Sequence, residues 1–307
     1  MSNAGNESKA ARREHAREQA RVMREKEQKR ARRNKWIVQG SVIVAILAIA
    51  SLVVAIFVSV NQPAGPGPEN MASDGILLEG DGTAITAVRT ANVEADGEPT
   101  VTDPADYPST VNIAIYVDYQ CPFCKQFEET NAEQIEQWVG SGIATLEIHP
   151  IAGLDAQSTG NKYSTRAANA AACVANYQPD SYFDVNNAFF ADQPEEGANG
   201  KTDEELLATM KAAGVDNDDV TKCVTDQTFT DWVKAATDRV QGGTIPNSDQ
   251  PVFQGTPMVI VNGTYYTGQI DDAAEFSSFV QSIAAQLPTT DDTTDESSST
   301  PTPAPAD

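Results

Sequence analysis

The chain has 307 residues, enough for one domain with a sizeable core, and carries 21 Lys and Arg against 44 Asp and Glu, a formal net charge of −23. The charge is unevenly placed: residues 1–35 hold 12 of the basic side chains and 5 Glu, about +7, while the remainder holds 9 basic against 39 acidic, about −30. A body that acidic repels a phosphate backbone, which sets nucleic acid aside as its partner.

Residues 1–35 form the basic arm. From Ala10 to Lys35 it is rich in Ala, Arg, Glu and Gln and is predicted to be helical, an orientation signal with a solvated face; contact with anionic lipid or nucleic acid is the functional alternative. Residues 36–60 are predicted to be a single transmembrane helix. The 24 residues from Ile37 to Val60 contain no charge, and about 20 such residues suffice to cross a hydrocarbon core. Trp36 stands at the boundary, and the arm before it keeps the N-terminus in the cytoplasm and puts the rest outside. The rival is a cleaved signal peptide, but this apolar run is longer than one needs and VSVNQPAG offers no clear cleavage site. Residues 61–74 contain PAGPGP and read as a linker.

Beyond it, Gly75 to Val93 reads as a hairpin with Asp81-Gly82 at its turn, and Ala95 to Ser109 as an exposed connection. Val111 to Val117 is β-branched and apolar, a buried strand. After DYQCPFC, Phe127, Ile135 and Val139 suit one face of a helix that Gly140 and Gly142 stop, and Ala144 to Ile151 is the next strand. Strand, helix, strand is a crossover unit and implies a parallel pair. Residues of about 157–240 are Ala-rich and helical in pattern, with a capping box at Thr202 and Glu205, and are predicted as a helical insertion. Gly242 to Gly255 is a loop, PMVIVNGTYYTGQI gives two strands joined at Asn262-Gly263, and Ala273 to Leu287 is an amphipathic helix closing a domain of residues 75–287. Residues 288–307 are mostly Thr, Ser, Pro and Asp and are predicted to be disordered.

Cys121 and Cys124 fall where the first buried strand hands over to its helix. A sulfur at a helix N-terminus faces free N–H groups and the positive end of the macrodipole, which lowers its pKa and supplies a thiolate near neutral pH. Pro122, which has no N–H, suits the first turn, and the spacing lets both sulfurs meet in a small-ring disulfide of the catalytic kind. A zinc half-site and an inert structural disulfide are the alternatives. Zinc needs two more ligands, and only His149 is available without a second Cys-x-x-Cys.

CPFCKQFEE after a hydrophobic strand, then a helical insertion, then GTPMVIVNG, resembles the DsbA-type thiol–disulfide oxidoreductases of the thioredoxin superfamily, over roughly residues 75–287. The resemblance implies an α/β thioredoxin-like fold with a helical insertion, preceded here by the transmembrane helix. It implies that Cys121 is the nucleophile, Cys124 the buried resolving thiol, Pro257 a cis-proline facing them, and Thr256 the residue whose backbone meets an extended substrate strand. A trans proline at a strand start is the plainer reading of Thr256-Pro257. Two positions depart from the family. Phe123 stands where the strongest oxidases have His and supplies neither cation nor hydrogen bond to the thiolate. Ile115 stands where many relatives carry a buried acid; Asp118 is nearer and could substitute, though Asp at a strand end is more often solvated.

With Cys121 and Cys124 reserved for catalysis, Cys173 and Cys223 are expected to form a structural disulfide in an oxidising compartment, two buried free thiols being the alternative. His149, Trp138 and Trp232 read as structural residues, and Asn262-Gly263-Thr264 as a hairpin turn rather than a glycosylation acceptor. The expected function is therefore extracytoplasmic disulfide formation in exported proteins with Cys pairs, at the cell membrane. It needs no cofactor or metal; its partners are the bilayer, through residues 37–60, and a membrane redox protein that reoxidises it. A tethered reductase or isomerase is one rival, and a non-enzymatic binding module of the same fold is another.

Overall fold

The computed structural model describes residues 13–14, 17–27, 29–30, 48–51 and 65–288. The predicted transmembrane helix 36–60 lies outside them, apart from helical residues 48–51, and so does the tail beyond Pro288. Among the described residues no helix is long and apolar enough to cross a membrane. The chain divides into two compact units, residues 1–62 and 63–307. In the first, residues 17–27 are helical and exposed, with Arg21 and Glu25 paired one turn apart.

The second unit is built on six strands: β1 (Ile76–Gly80), β2 (Ile85–Ala87), β3 (Val111–Val117), β4 (Ala144–Pro150), β5 (Met258–Val261) and β6 (Thr264–Tyr265). They lie in the order β2-β1-β4-β3-β5-β6. β3 and β4 are parallel, joined by α1 (Pro122–Gly140), and the other pairings are antiparallel. Alternation sorts the strand side chains. Val111, Ile113, Ile115, Leu146 and Ile148 enter the main core with Phe127, Ile135 and Val139 of α1 and Phe276 of α7 (Ala273–Ala284). Tyr116, Met258 and Ile260 point the other way, into a smaller cluster with Ile151, Val240 and Ile245. His149 belongs to that side, stacked on Tyr116 with centroids 4.4 Å apart and 3.6 Å from Glu147.

Between β4 and β5 come α2 (Tyr163–Tyr177), α3 (Tyr182–Ala191), α4 (Asp203–Ala212), α5 (Asp218–Thr225) and α6 (Thr230–Gly242). α2 is buried along most of its length because its Ala residues let neighbouring helices approach closely. A disulfide between Cys173 and Cys223, with Cα atoms 5.8 Å apart, ties α2 to α5. The Thr202–Glu205 capping box opens α4. Asn262 and Gly263 both have positive φ, 44° and 83°, the backbone that a tight hairpin turn demands. The Asn262 side chain accepts from Asn112 N at 3.0 Å, so it serves the fold.

Both outer strands have an aspartate against an outward N–H. Asp180 accepts from Ala87 N on β2 at 3.1 Å, and Asp249 accepts from Tyr265 N on β6 at 2.8 Å. Asp249 N also donates to Gly263 O at 2.7 Å.

The expected linker 61–74 is corrected over its second half. Met71 is fully buried, Asn70 Nδ2 donates to Ala175 O at 2.8 Å, and a side chain at Gly67 would strike the Trp232 indole at 2.8 Å. Asp74, 5% exposed, accepts from Trp232 Nε1 at 3.0 Å and from Arg239 Nε and Nη2 at 2.6 and 2.7 Å. The Gly and Pro that suggested a flexible tether instead let the backbone lie flat against an indole and turn sharply. Asp74→Ala strands a guanidinium and an indole N–H under this strap. It is expected to lower the unfolding free energy of the 63–307 unit by about 3 kcal/mol, read by urea denaturation.

Candidate active site

The site begins where β3 ends. Asp118, Tyr119 and Gln120 form a buried loop, and Cys121 is the N-cap of α1, with extended backbone (φ −77°, ψ 118°) and Pro122 in the first turn. Cys121 N donates to Asp118 O at 2.9 Å, and Lys125 N donates to Cys121 O at 3.2 Å as the helix starts. The loop is thus wound directly into the helix, and Cys121 is presented at its N-terminus. Both cysteines are free thiols; Cys121 keeps 3% exposure and Cys124 none, while Phe123 between them is 60% exposed.

Thr256-Pro257 arrives from the far side of the insertion. β5 pairs antiparallel with β3, with Tyr116 opposite Met258, so the residues before Met258 lie beside the loop after Val117. The Thr256-Pro257 peptide is cis, and the Cys121 Sγ donates to Thr256 O at 3.2 Å.

The two sulfurs have opposite surroundings. The Cys121 thiol is brought down to about 6, chiefly by a hydrogen bond from Cys124; burial opposes this, and the Thr256 side chain and the N–H groups of Cys124 and Phe123 assist it. Burial pushes the Cys124 thiol well up, and its bond to Cys121 and the Cys121 charge add to the effect. Asp118 is fully buried, and that burial raises its carboxyl to about 6. The Ser164 hydroxyl and the N–H groups of Gln120 (2.8 Å) and Leu154 (2.9 Å) oppose the rise. Asp118 is thus a buried rather than a solvated strand end, and at Cys124 its backbone opposes the rise while its charge adds to it. Ile115, the position where relatives carry an acid, is a core residue.

Two residues of the site were missed in the sequence. Glu128, one turn beyond Cys124, is buried, which raises its carboxyl to about 7; Asn186 Nδ2 lies 3.4 Å away and Tyr119 OH donates to Asn186 Oδ1 at 3.1 Å. The available signal was its place in the stripe of Cys124, Phe127, Asn131 and Ile135, all buried on α1. Gln193 follows α3 and reaches the redox loop from outside the motif. The Cys173–Cys223 bridge lies within the insertion. Among the described residues no group of three or more His, Cys, Asp or Glu could hold a metal ion.

Residues 106–282 match the protein-family profile described as Thioredoxin. Among solved structures, the chain is similar to reduced DsbA from Mycobacterium tuberculosis, with 23% identity and a TM-score of 0.52 over 70% of this chain and 94% of that one. The oxidised form gives 24% and 0.51 over the same shares. Among curated proteins, it is 33% identical over 113 residues to the serine/threonine-protein kinase PknE of Mycobacterium tuberculosis, 36% of this chain and 20% of the kinase. The chain thus spans about a fifth of that relative's length.

The Cys121 environment predicts that iodoacetamide will alkylate reduced protein at a single accessible thiol, with a rate that rises through pH about 6 and then levels. Asp118 and Glu128 predict a second pH effect. A carboxyl whose folded pKa lies above its unfolded value stabilises the fold below the unfolded value, and that contribution is lost as pH rises through about 6 and about 7. Oxidised protein, in which neither active-site cysteine titrates, should therefore lose stability to urea between pH 5 and 8. Asp118→Asn with Glu128→Gln should flatten that slope.

Proposed function

Because the chain belongs to the thioredoxin family, we propose that it is a membrane-anchored thiol–disulfide oxidoreductase that forms disulfides in exported proteins. The observation that carries this reading is the Cys121 sulfur, held at the N-terminus of α1 beside Cys124 and Thr256 and biased toward thiolate chiefly by Cys124, with the Thr256 side chain assisting. A thiolate stabilised there favours the reduced pair, which makes the oxidised pair an electron acceptor.

In the oxidised protein a substrate thiolate attacks Cys121 Sγ. The Cys121–Cys124 bond breaks, its electron pair leaves with Cys124, and a mixed disulfide forms at Cys121. The Cys124 thiolate is strongly basic in its buried setting and takes a proton, for which Asp118 is the adjacent buried acid. A second substrate thiolate then attacks the substrate sulfur of the mixed disulfide and releases Cys121 as a stabilised leaving group. The substrate loses two electrons and two protons; the pair Cys121–Cys124 gains both electrons and the proton on Cys124, while Cys121 leaves as thiolate and the other proton goes to solvent. Thr256 O and the cis peptide before Pro257 lie where an extended substrate backbone would pass.

The anchor reading is supported by the 24 uncharged residues of 37–60 and by the basic arm before them, features that favour a catalytic unit outside the cytoplasm, close to a membrane partner that reoxidises it. Phe123 brings no cation to the thiolate, so the low Cys121 pKa rests on Cys124, the Thr256 side chain and the N–H groups of the helix terminus.

The deciding experiment equilibrates the 63–307 unit, which retains Asp74, with glutathione buffers and reads the Cys121–Cys124 couple. A reduction potential of about −120 to −180 mV is expected for a disulfide donor, whereas about −250 mV or lower would replace this reading with that of a reductant.

A further inference from the structure

Gln193 lies outside both motifs of the site, on the turn that leaves α3, yet its side-chain amide holds the backbone of the redox loop. Nε2 donates to Tyr119 O and to Cys121 O, each at 2.9 Å. An –NH2 group has two hydrogens, one for each carbonyl. The Cys121 carbonyl already accepts from Lys125 N at 3.2 Å, so Gln193 occupies its second lone pair. In return Gln120 Nε2 approaches Glu195 O at 3.5 Å.

The turn that carries Gln193 is itself fixed. Pro194 restricts Gln193 to extended backbone and prevents α3 from continuing. Gln193 N donates to Phe190 O at 3.2 Å, and the neighbouring Asp192 is bound by Lys201 and by Thr209 Oγ1 of α4. Phe189 and Phe190 pack against the Tyr119 ring with centroids 5.2 and 5.1 Å away. The amide therefore acts from a rigid base on a loop that makes only a few backbone bonds of its own.

We propose that Gln193 is a positioning residue for thiol–disulfide exchange, through which the helical insertion fixes the backbone of Cys121 at the N-terminus of α1. The proposal rests on the reading of Cys121 as the exchanging sulfur. Pro122 has no N–H, so Phe123 and Cys124 carry the first free N–H groups of α1; neither caps the sulfur with a hydrogen bond, and both act on it through the partial positive charge of the helix terminus. A rotation of the Cys121 backbone moves the sulfur out of that field. Removing Gln193 acts twice in the same direction. It frees the two carbonyls to reorient, and it removes an N–H dipole that offsets the partial negative charge of the Cys121 carbonyl beside the thiolate. Both effects disfavour the thiolate, and so also the reduced pair.

The test compares the full-length chain with Gln193→Met, which keeps length and loses both donors, and Gln193→Lys, which donates again and adds positive charge. The readouts are the pH midpoint of Cys121 alkylation and the equilibrium constant with glutathione. Gln193→Met is expected to raise the midpoint by ~0.5–1 unit and to shift the equilibrium about three- to tenfold toward the disulfide. Gln193→Lys is expected to return the midpoint to the parent value or below it. A Gln193→Met protein with parental midpoint and equilibrium but a lower melting temperature would show a purely structural role and overturn the proposal. Should Gln193→Met fail to fold, a Gln193→Lys midpoint above that of the parent overturns it, and one below supports it. If the parent itself shows no exchange with glutathione, the functional reading falls, and this inference falls with it; exchange by the parent with no response to either variant removes Gln193 alone.

Discussion

The antiparallel pairing of β3 with β5 is the constraint on which the site depends. The two strands are separated by the whole helical insertion, and their register, Tyr116 opposite Met258, decides what stands beside Cys121. Because side chains alternate with a period of two, a slip of one residue would turn Ile113 and Ile115 out of the core and withdraw Thr256 O from the sulfur. The hydrophobic core therefore enforces the chemistry: the apolar residues that bury one sheet face fix the position of a carbonyl 3.2 Å from the thiol.

From that register follows the division of labour between two cysteines on one helical turn. Cys121 sits at the N-terminus with donors in front of it, and Cys124 is turned into the core among groups that disfavour its charge. Buried acids on two sides, Asp118 in the loop and Glu128 further along α1, give the neighbourhood proton-binding groups near neutrality. The insertion supplies the other wall, through Asn186 against Glu128 and Gln193 against the loop. It is a structural part of the site, and its internal disulfide holds α2 and α5 together.

Much of this was legible in the sequence because the signals are local. β-branched runs marked β3, β4 and β5, Asp81-Gly82 and Asn262-Gly263 marked the hairpins, and Thr202 with Glu205 marked the start of α4. The cysteine spacing located the helix N-terminus. What was missed acts over long separations. Composition could not tell a mobile Pro/Gly stretch from one laid against Trp232 and tied by Asp74 to Arg239, because the partners are more than 150 residues away. Glu128 hid as one more charge on an amphipathic helix. Gln193 sits in a polar turn where only the three-dimensional path of α3 shows what its amide meets.

The aspartates at the sheet's two outer strands have a consequence for how the sheet meets other strands. Asp180 and Asp249 occupy outward N–H groups that a foreign strand would otherwise use. At β2 the carboxylate is in turn held by Arg89 at 2.7 Å, so that border ends in an ion pair; at β6 Asp249 also donates its own N–H to Gly263 O, so the chain folds back on its last strand. Each border carries its own stopper, and a second copy of the sheet finds fewer donors along which to zip.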